Sequence, residues 1–372
     1  MTTAKMAKNS ITRLPIMLVL FLVAFIYLGT LIPFSENIIA FQKQKLDPPP
    51  VRDNHQPRLE EALRKAKMAD SKTVIITIIN KAYVEPINDE NPSMLDLFLE
   101  GFWEGEGTRQ LLDHLLVVAM DGAAYDRCVF RRLHCYGLIT DGGVDFSGEK
   151  LFLSKEFIDM MWRRTLFLLD VLKLGYNFIF TDTDIIWLRN PFTRLSSNTS
   201  EDLQISTDIF TGDPWSTSNP INTGFYYVRS NPKTITLFQT WYDSRNSYPS
   251  NMKEQDILAL MKRAGVFKQM GLLVRYLDVT YFSGFCTDSK DVTVVVTVHA
   301  NCCKGIAAKV VDLKHVLRDW KNYRRGRHVI VPPNYSHSDN NSDNNNNNNN
   351  HFRWSEHYYC NHSWGPSKNT LV

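Results

Sequence analysis

The sequence predicts an α/β fold built on a mainly parallel sheet flanked by helices. Three observations carry this. Thr73–Ile79 (TVIITII), Leu115–Met120 (LLVVAM) and Asn177–Phe180 (NFIF) are apolar runs too uninterrupted for strands with one wet face. Segments with helical spacing and capping residues separate them, so strand and helix alternate. The third run leads directly into Asp182 and Asp184, carboxylates that apolar burial does not explain, at the strand end where open α/β sheets bind ligands.

Length and charge set the outer limits. A chain of 372 residues can bury a large core as one big α/β domain or two ordinary ones. The formal net charge of +3 comes entirely from Lys5, Lys8 and Arg13, because residues 1–13 carry no acid and the remainder is balanced. No basic excess is left to displace counterions, which argues against a nucleic-acid partner.

Taken in order, residues 1–13 form a short basic tail. Leu14–Phe34 follows as 21 uncharged residues, long enough to cross ~30 Å of hydrocarbon. The apolar region of a cleaved signal is only about 7–15 residues long, so a retained anchor is expected. Basic residues before the span and Glu36 after it predict a cytosolic N-terminus and a lumenal body, a type II arrangement, although Lys43 and Lys45 follow the span too. Residues 35–70, with Pro48, Pro49, Pro50 and Pro57, read as an extended stem carrying a short helix from Arg58 to Ala69.

The catalytic domain is expected over 71–328. After the strand at Thr73–Ile79, Met94–Leu99 and Leu111–Leu112 predict a helix or two, Leu115–Met120 a strand and Ala123–Leu133 a helix. Ser154 can cap a long buried helix that runs through Leu174 and stops at Gly175. Strands are expected at Leu203–Phe210, Phe225–Arg229, Leu272–Leu277 and Val292–Val298, with helices at Thr234–Ser244 and Glu254–Ala264. Residues 329–372 include a polar Asn-rich run that has nothing to bury and is expected to be disordered, followed by Trp354, Tyr358, Tyr359 and Trp364, which can dock a short tail. Six cysteines allow 15 pairings, and sequence does not choose among them. The spacing fits disulfides in an oxidising lumen better than a structural zinc site.

The chemistry is expected around the aspartates. Oxygen ligands at Asp182 and Asp184 suit Mg²⁺ or Mn²⁺, and the ion in turn bridges a diphosphate. His299, at the end of a predicted strand, is a candidate third ligand, with Lys304 and Lys309 downstream as point charges for the diphosphate. Arg163 and Arg164 project about 100° apart on their helix, so at least one can face the nucleotide or the aspartates. Asn80 closes the first strand, a usual place for nucleoside contacts, and Asn222 and Gly224 precede an aromatic strand. Gln255 and Asp256 are candidates to orient a donor sugar, whereas Glu254 reads as an ordinary partner of the helix dipole.

Together these stretches resemble a known family. From Thr73 to about Tyr323 the chain resembles the plant nucleotide-diphospho-sugar transferase domain of glycosyltransferase family 77. The stretches that carry the likeness include TVIITIINKAYVEP, LLDHLLVVAMD, MMWRR, GYNFIFTDTDIIWLRNPF, FYYVRSNPKTI, QDIL and HANCCKG. The resemblance implies a GT-A fold, a type II Golgi enzyme and a divalent metal, usually Mn²⁺. It also implies transfer of arabinose, xylose or galactose from a UDP-sugar, with retention, to a cell-wall polysaccharide or glycoprotein. It carries the metal ligands onto Asp182, Asp184 and His299. Thr183, Thr223 and Glu254 depart from the family pattern. The competing expectations are a lumenal carbohydrate-binding or scaffold protein of the same fold and a nucleotide-sugar hydrolase.

Overall fold

The computed structural model describes residues 56–138, 146–151, 153–326 and 352–364. The expected basic tail, membrane anchor and Asn-rich run lie outside them. Among the described residues no helix is long and apolar enough to cross a membrane.

A seven-stranded sheet of order β3-β2-β1-β4-β7-β6-β8 forms the centre. Its strands are β1 (Thr73–Ile79), β2 (Leu115–Ala119), β3 (His134–Gly137), β4 (Asn177–Thr181), β6 (Leu203–Thr207), β7 (Ile221–Val228) and β8 (Val274–Tyr276). Strands β3, β2, β1 and β4 pair in parallel, β7 runs against both β4 and β6, and β8 is parallel to β6. Only β7 is therefore reversed, which makes the sheet mainly parallel. A second sheet of three strands has the order β5-β10-β9, from β5 (Ile185–Trp187), β9 (Phe282–Gly284) and β10 (Thr297–His299).

Both faces of the large sheet are covered, which is why its strands show no alternation of polarity. Val74, Ile76, Phe178 and Phe180 pack on one face with α1 (Gln56–Ala66) and the long α5 (Lys155–Lys173). Ile75, Ile79, Val117 and Ile179 pack on the other with α3 (Met94–Glu104) and α4 (Gly122–Phe130). Between β1 and α3 lies the single turn α2 (Lys81–Val84). Ser154 caps α5 by accepting from the Phe157 N–H, and Gly175 follows it at φ 80°, a left-handed backbone that favours glycine. The remaining helices are α6 (Pro232–Asp243), α7 (Glu254–Arg263), α8 (Val266–Gln269), α9 (Ile306–Arg324) and α10 (Tyr358–His362).

Three expectations need correction. The helix assigned to the stem belongs to the folded domain: Leu59, Leu63 and Ala66 are buried in the core, so that domain begins before residue 71. Their i, i+4, i+7 spacing was the signal of a buried face. The strand expected over Val292–Val298 is only Thr297–His299, because Val292 is buried in a turn and Val295 and Val296 in irregular backbone instead. Strand β7 begins at Ile221, four residues before the aromatic run, since Ile221 and Asn222 pair with Thr207 and Ser206 of β6.

The cysteines form Cys128–Cys135, Cys286–Cys302 and Cys303–Cys360. The last joins the aromatic tail to the loop after β10. That tail is docked, with the Trp354 indole donating to the Ser289 carbonyl at 2.9 Å.

Candidate active site

One edge of the sheet gathers the polar residues. Because β1, β4 and β6 run the same way, their carboxyl ends bring Asn80, Asp182 and Asp208 to that edge. The reversed β7 delivers Asn222, Thr223 and Gly224 there from its amino end. Continuing β4, the Asp182 N–H donates to the Gly224 carbonyl at 2.7 Å. The chain then turns into β5, which pairs with β10 so that His299 stands opposite Ile185, next to Asp184. Two aspartates two residues apart thus join a histidine 115 positions downstream.

The ligand atoms of Asp182, Asp184 and His299 all lie within 4.8 Å of one another. His299 Nε2 is 3.3 Å from Asp184 Oδ1, and Lys309 Nζ is 2.6 Å from Asp184 Oδ2. On the other side Arg164 donates through Nη1 to Asp182 Oδ1 at 2.9 Å and through Nη2 to Glu254 Oε1 at 2.7 Å. The guanidinium also lies 4.6 Å over the Phe180 ring. Gly224 is required by close approach: a Cβ there would fall 2.3 Å from His299 Cε1 and 3.0 Å from Asp182 Oδ2.

These neighbours give the two aspartates different proton affinities. Burial raises the Asp182 pKa, Arg164 opposes it and the Asp184 charge reinforces it, pushing the group up to about 6. Burial acts the same way on Asp184, but Lys309 and His299 outweigh it and hold the carboxyl well below the usual range. Lys309 loses stability as a cation through burial and regains more from Asp184, so its pKa is raised.

A cavity of about 760 Å³ opens onto the group. Of the predicted site residues, Asn80, Arg164, Asp182, Asp184, Asn222, Gly224, Gln255, His299, Lys304 and Lys309 line it. Asp256 and Arg163 do not. Asp256 Oδ2 accepts from the Lys253 N–H at 3.2 Å, so it caps the start of α7 and is not placed to meet a sugar. Arg163, one position round from Arg164, lines a separate depression with Trp162 and Tyr242. Asn80 reaches the cavity but is engaged structurally: its amide donates to the carbonyls of Phe146 at 2.7 Å and Gly148 at 2.9 Å, tying that segment across the strand end.

Sequence reasoning missed four participants. Glu254, read as a dipole partner, is buried and paired with Arg164. Thr223 donates from its hydroxyl to Glu254 Oε1 at 2.9 Å, so two of the departures from the family pattern are in direct contact. The Thr223 N–H donates to Gln255 Oε1 at 3.0 Å and fixes that side chain. Asp208 accepts from both the Asn222 and Asn301 amides at 2.8 Å, and Glu149 accepts from the Ile306 N–H at the start of α9. The adjacency of two arginines and three acidic or amide residues was the available signal, but it did not say which would meet.

Comparison with known proteins adds family membership. Residues 110–313 match the nucleotide-diphospho-sugar transferase family. An uncharacterized protein of Arabidopsis thaliana is 55% identical over 82% of this chain and 84% of its own length. UDP-D-xylose:L-fucose alpha-1,3-D-xylosyltransferase 3 of Arabidopsis thaliana is 24% identical over 65% of this chain and 63% of its own. UDP-galactose:fucoside alpha-3-galactosyltransferase of Dictyostelium discoideum is 29% identical over 39% of this chain and 26% of its own.

Proposed function

We propose, from the premise that this chain belongs to the nucleotide-diphospho-sugar transferase family of glycosyltransferases, that it moves a sugar of the xylose, arabinose or galactose class from UDP to a hydroxyl of a cell-wall glycan or glycoprotein. The observation that carries this reading is the convergence of Asp182, Asp184 and His299 in one cavity at the sheet edge. Its volume is that of a small-ligand site. A likeness to transferases whose names specify UDP-xylose and UDP-galactose supports the donor class.

The donor set fits a hard or borderline divalent cation, with two carboxylates and one imidazole presented together. We assign Asp182, Asp184 and His299 to hold Mn²⁺ or Mg²⁺, which when bound neutralises charge on the departing diphosphate. Lys309, beside Asp184, and Lys304 on the same wall supply further positive charge to the phosphates. Arg164 braces Asp182, and its second contact to Glu254 keeps the guanidinium in place. The Gln255 carbonyl is occupied by Thr223, which leaves its amide N–H groups to donate to a hydroxyl of the donor sugar.

In the proposed transfer the C1–O bond to UDP breaks, the acceptor oxygen bonds C1 on the same face, and its proton passes to the leaving phosphate. Among the described residues, each of the other acids that line the cavity has an oxygen engaged, which supports retention. Glu254 is held by Arg164, Asp208 by two asparagine amides and Glu149 by a backbone N–H. An inverting reaction needs a carboxylate turned to the acceptor as base. Three disulfides and the uncharged span after Lys5, Lys8 and Arg13 support a type II protein with its domain in the Golgi lumen, on the GT-A plan.

Asp184→Ala tests the centre. Mn²⁺-dependent cleavage of UDP-sugars should fall by more than about 100-fold, the most that a residue merely supporting a metal ligand usually costs. Thermal unfolding should move to lower temperature, because Lys309 loses its carboxylate partner, so cleavage is measured below that transition. Undiminished cleavage in this variant would overturn the reading.

A further inference from the structure

The tail that returns to the cavity has no role in the donor chemistry just described. It contributes Ser363 and Trp364 to the cavity wall, and Trp364 is 52% exposed, which puts a large apolar ring at the mouth of the site. Leu151, 79% exposed, lines the same cavity. Lone exposed aromatics are common on surfaces, but this one is fixed by several independent contacts. The Trp364 indole N–H donates to the Cys302 carbonyl at 2.7 Å, and Lys304 Nζ lies 4.1 Å over the ring. The Ser363 hydroxyl accepts from the Lys304 N–H at 2.9 Å.

Behind the ring the tail is anchored at every turn. Cys360 is bonded to Cys303, and its N–H donates to buried Asp312 at 2.7 Å. The Ser355 N–H donates to buried Asp319 at 2.7 Å, and His357 contacts both oxygens of Asp288 at 3.0 Å. A segment held this way loses little freedom when a ligand settles on it, which is the condition for a preorganised binding surface.

From this geometry we infer that Trp364 is the stacking platform of the acceptor subsite, taking the C–H face of a sugar ring of the acceptor glycan. An aromatic face flanked by polar groups suits a ligand whose two faces are apolar C–H and whose rim is hydroxyl. The nucleoside is the other flat group in the reaction. Its place is the switch point between β1 and β4, where Asn80 and Tyr83, at the short helix that follows β1, line the cavity. Trp364 instead belongs to the tail tied to the loop after β10, beside the Lys304 assigned to the phosphates, so a sugar on its ring would lie next to the diphosphate, where an acceptor has to approach C1. The inference rests on the donor site proposed above and names the second substrate of the same reaction.

The test is saturation-transfer NMR on the full-length chain with UDP and Mg²⁺, using the methyl glycosides of L-fucose, L-arabinose and D-galactose as probes. At least one glycoside should receive saturation, strongest on the protons of one ring face. Trp364→Ala should reduce that signal at least about 5-fold, while UDP and Mg²⁺ still stabilise the protein. Trp364→Phe should retain much of the signal. Phenylalanine keeps a ring but has no N–H for the Cys302 carbonyl, so equal loss in both variants would make the residue a tail anchor and overturn the proposal. Saturation of none of the three glycosides, or weaker UDP stabilisation in Trp364→Ala with glycoside signals intact, would overturn it as well. Failure of UDP and Mg²⁺ to stabilise the unaltered protein would instead remove the donor site.

Discussion

The sheet side of the cavity and the rim that completes it are held together by different forces. On the sheet side, β1 and β4 are buried on both faces, and the charges at their ends form a closed set in which Arg164 joins Asp182 to Glu254. The rim is built from strands of three residues, two disulfides at adjacent cysteines, and a tail fastened through buried carboxylates. Its members lie far apart in sequence, since Cys303 meets Cys360 and Asp208 meets Asn301. Position on the sheet side follows from the core, so altering a charge there disturbs fold and site together. Position on the rim follows from cross-links, so single changes there should be more local.

Arg164→Met probes this contrast with the largest expected effect. The side chain is 7% exposed and its partner Glu254 only 2%, so removing the guanidinium leaves a buried carboxylate without its cation. Breaking one side of a buried ion pair costs about 3–5 kcal/mol. Denaturant unfolding should show that loss, and Arg164→Met combined with Glu254→Gln should recover much of it. A loss below about 1 kcal/mol, the size of a surface pair, would mean that the sheet side is no more tightly coupled than the rim.

Gly224→Ala acts at the seam between the two regions. The added methyl would meet His299 from the rim sheet and Asp182 from the main sheet, so it pushes apart the groups assigned to the metal. Overpacking of this kind costs about 1–3 kcal/mol. Mn²⁺ affinity, measured by titration calorimetry, should drop about 10–100-fold, as for other changes that misplace a ligand. Wild-type affinity in this variant would show that the approach of β10 to β7 does not set the site.

The same contrast decides what was legible in the sequence. Strands β1 and β2, helix α5 and the position of Asp182 and Asp184 could be read because long apolar runs and a Ser cap leave few alternatives. The extent of β10 could not, because buried valines look alike in a strand and in a packed turn. Asp256 was misread since an acid at the third helical position serves a cap or a ligand with the same composition. Which of two adjacent arginines turns inward depends on the phase of α5 against the sheet, and six cysteines do not announce their partners. The docked tail was foreseen only as an aromatic segment. Its route to the cavity mouth is fixed by contacts that no local pattern encodes.

Asp312→Asn gives the smallest expected effect and bears on the rim. Asp312 is fully buried on α9 beneath the tail; Oδ2 accepts the Cys360 N–H, and Oδ1 has no hydrogen-bond partner among the described residues. Burial raises its pKa, with the backbone N–H groups of Cys360 and Tyr359 acting the other way. Because the folded value exceeds the unfolded one, the native state binds the proton more tightly. The resulting stability is complete below about pH 3.9, the ordinary Asp value, and is lost as pH rises through the folded pKa. Asparagine keeps an acceptor for Cys360 and removes the charge, so its stability should lack this decline and should approach or exceed that of the parent protein at neutral pH. The difference should be within about 1.5 kcal/mol, the scale of one hydrogen bond. Unfolding curves between pH 4 and 8 would measure it. A variant that loses several kcal/mol at pH 7 would show that the tail depends on the ionised carboxylate, and the rim would then resemble the sheet side in resting on charge.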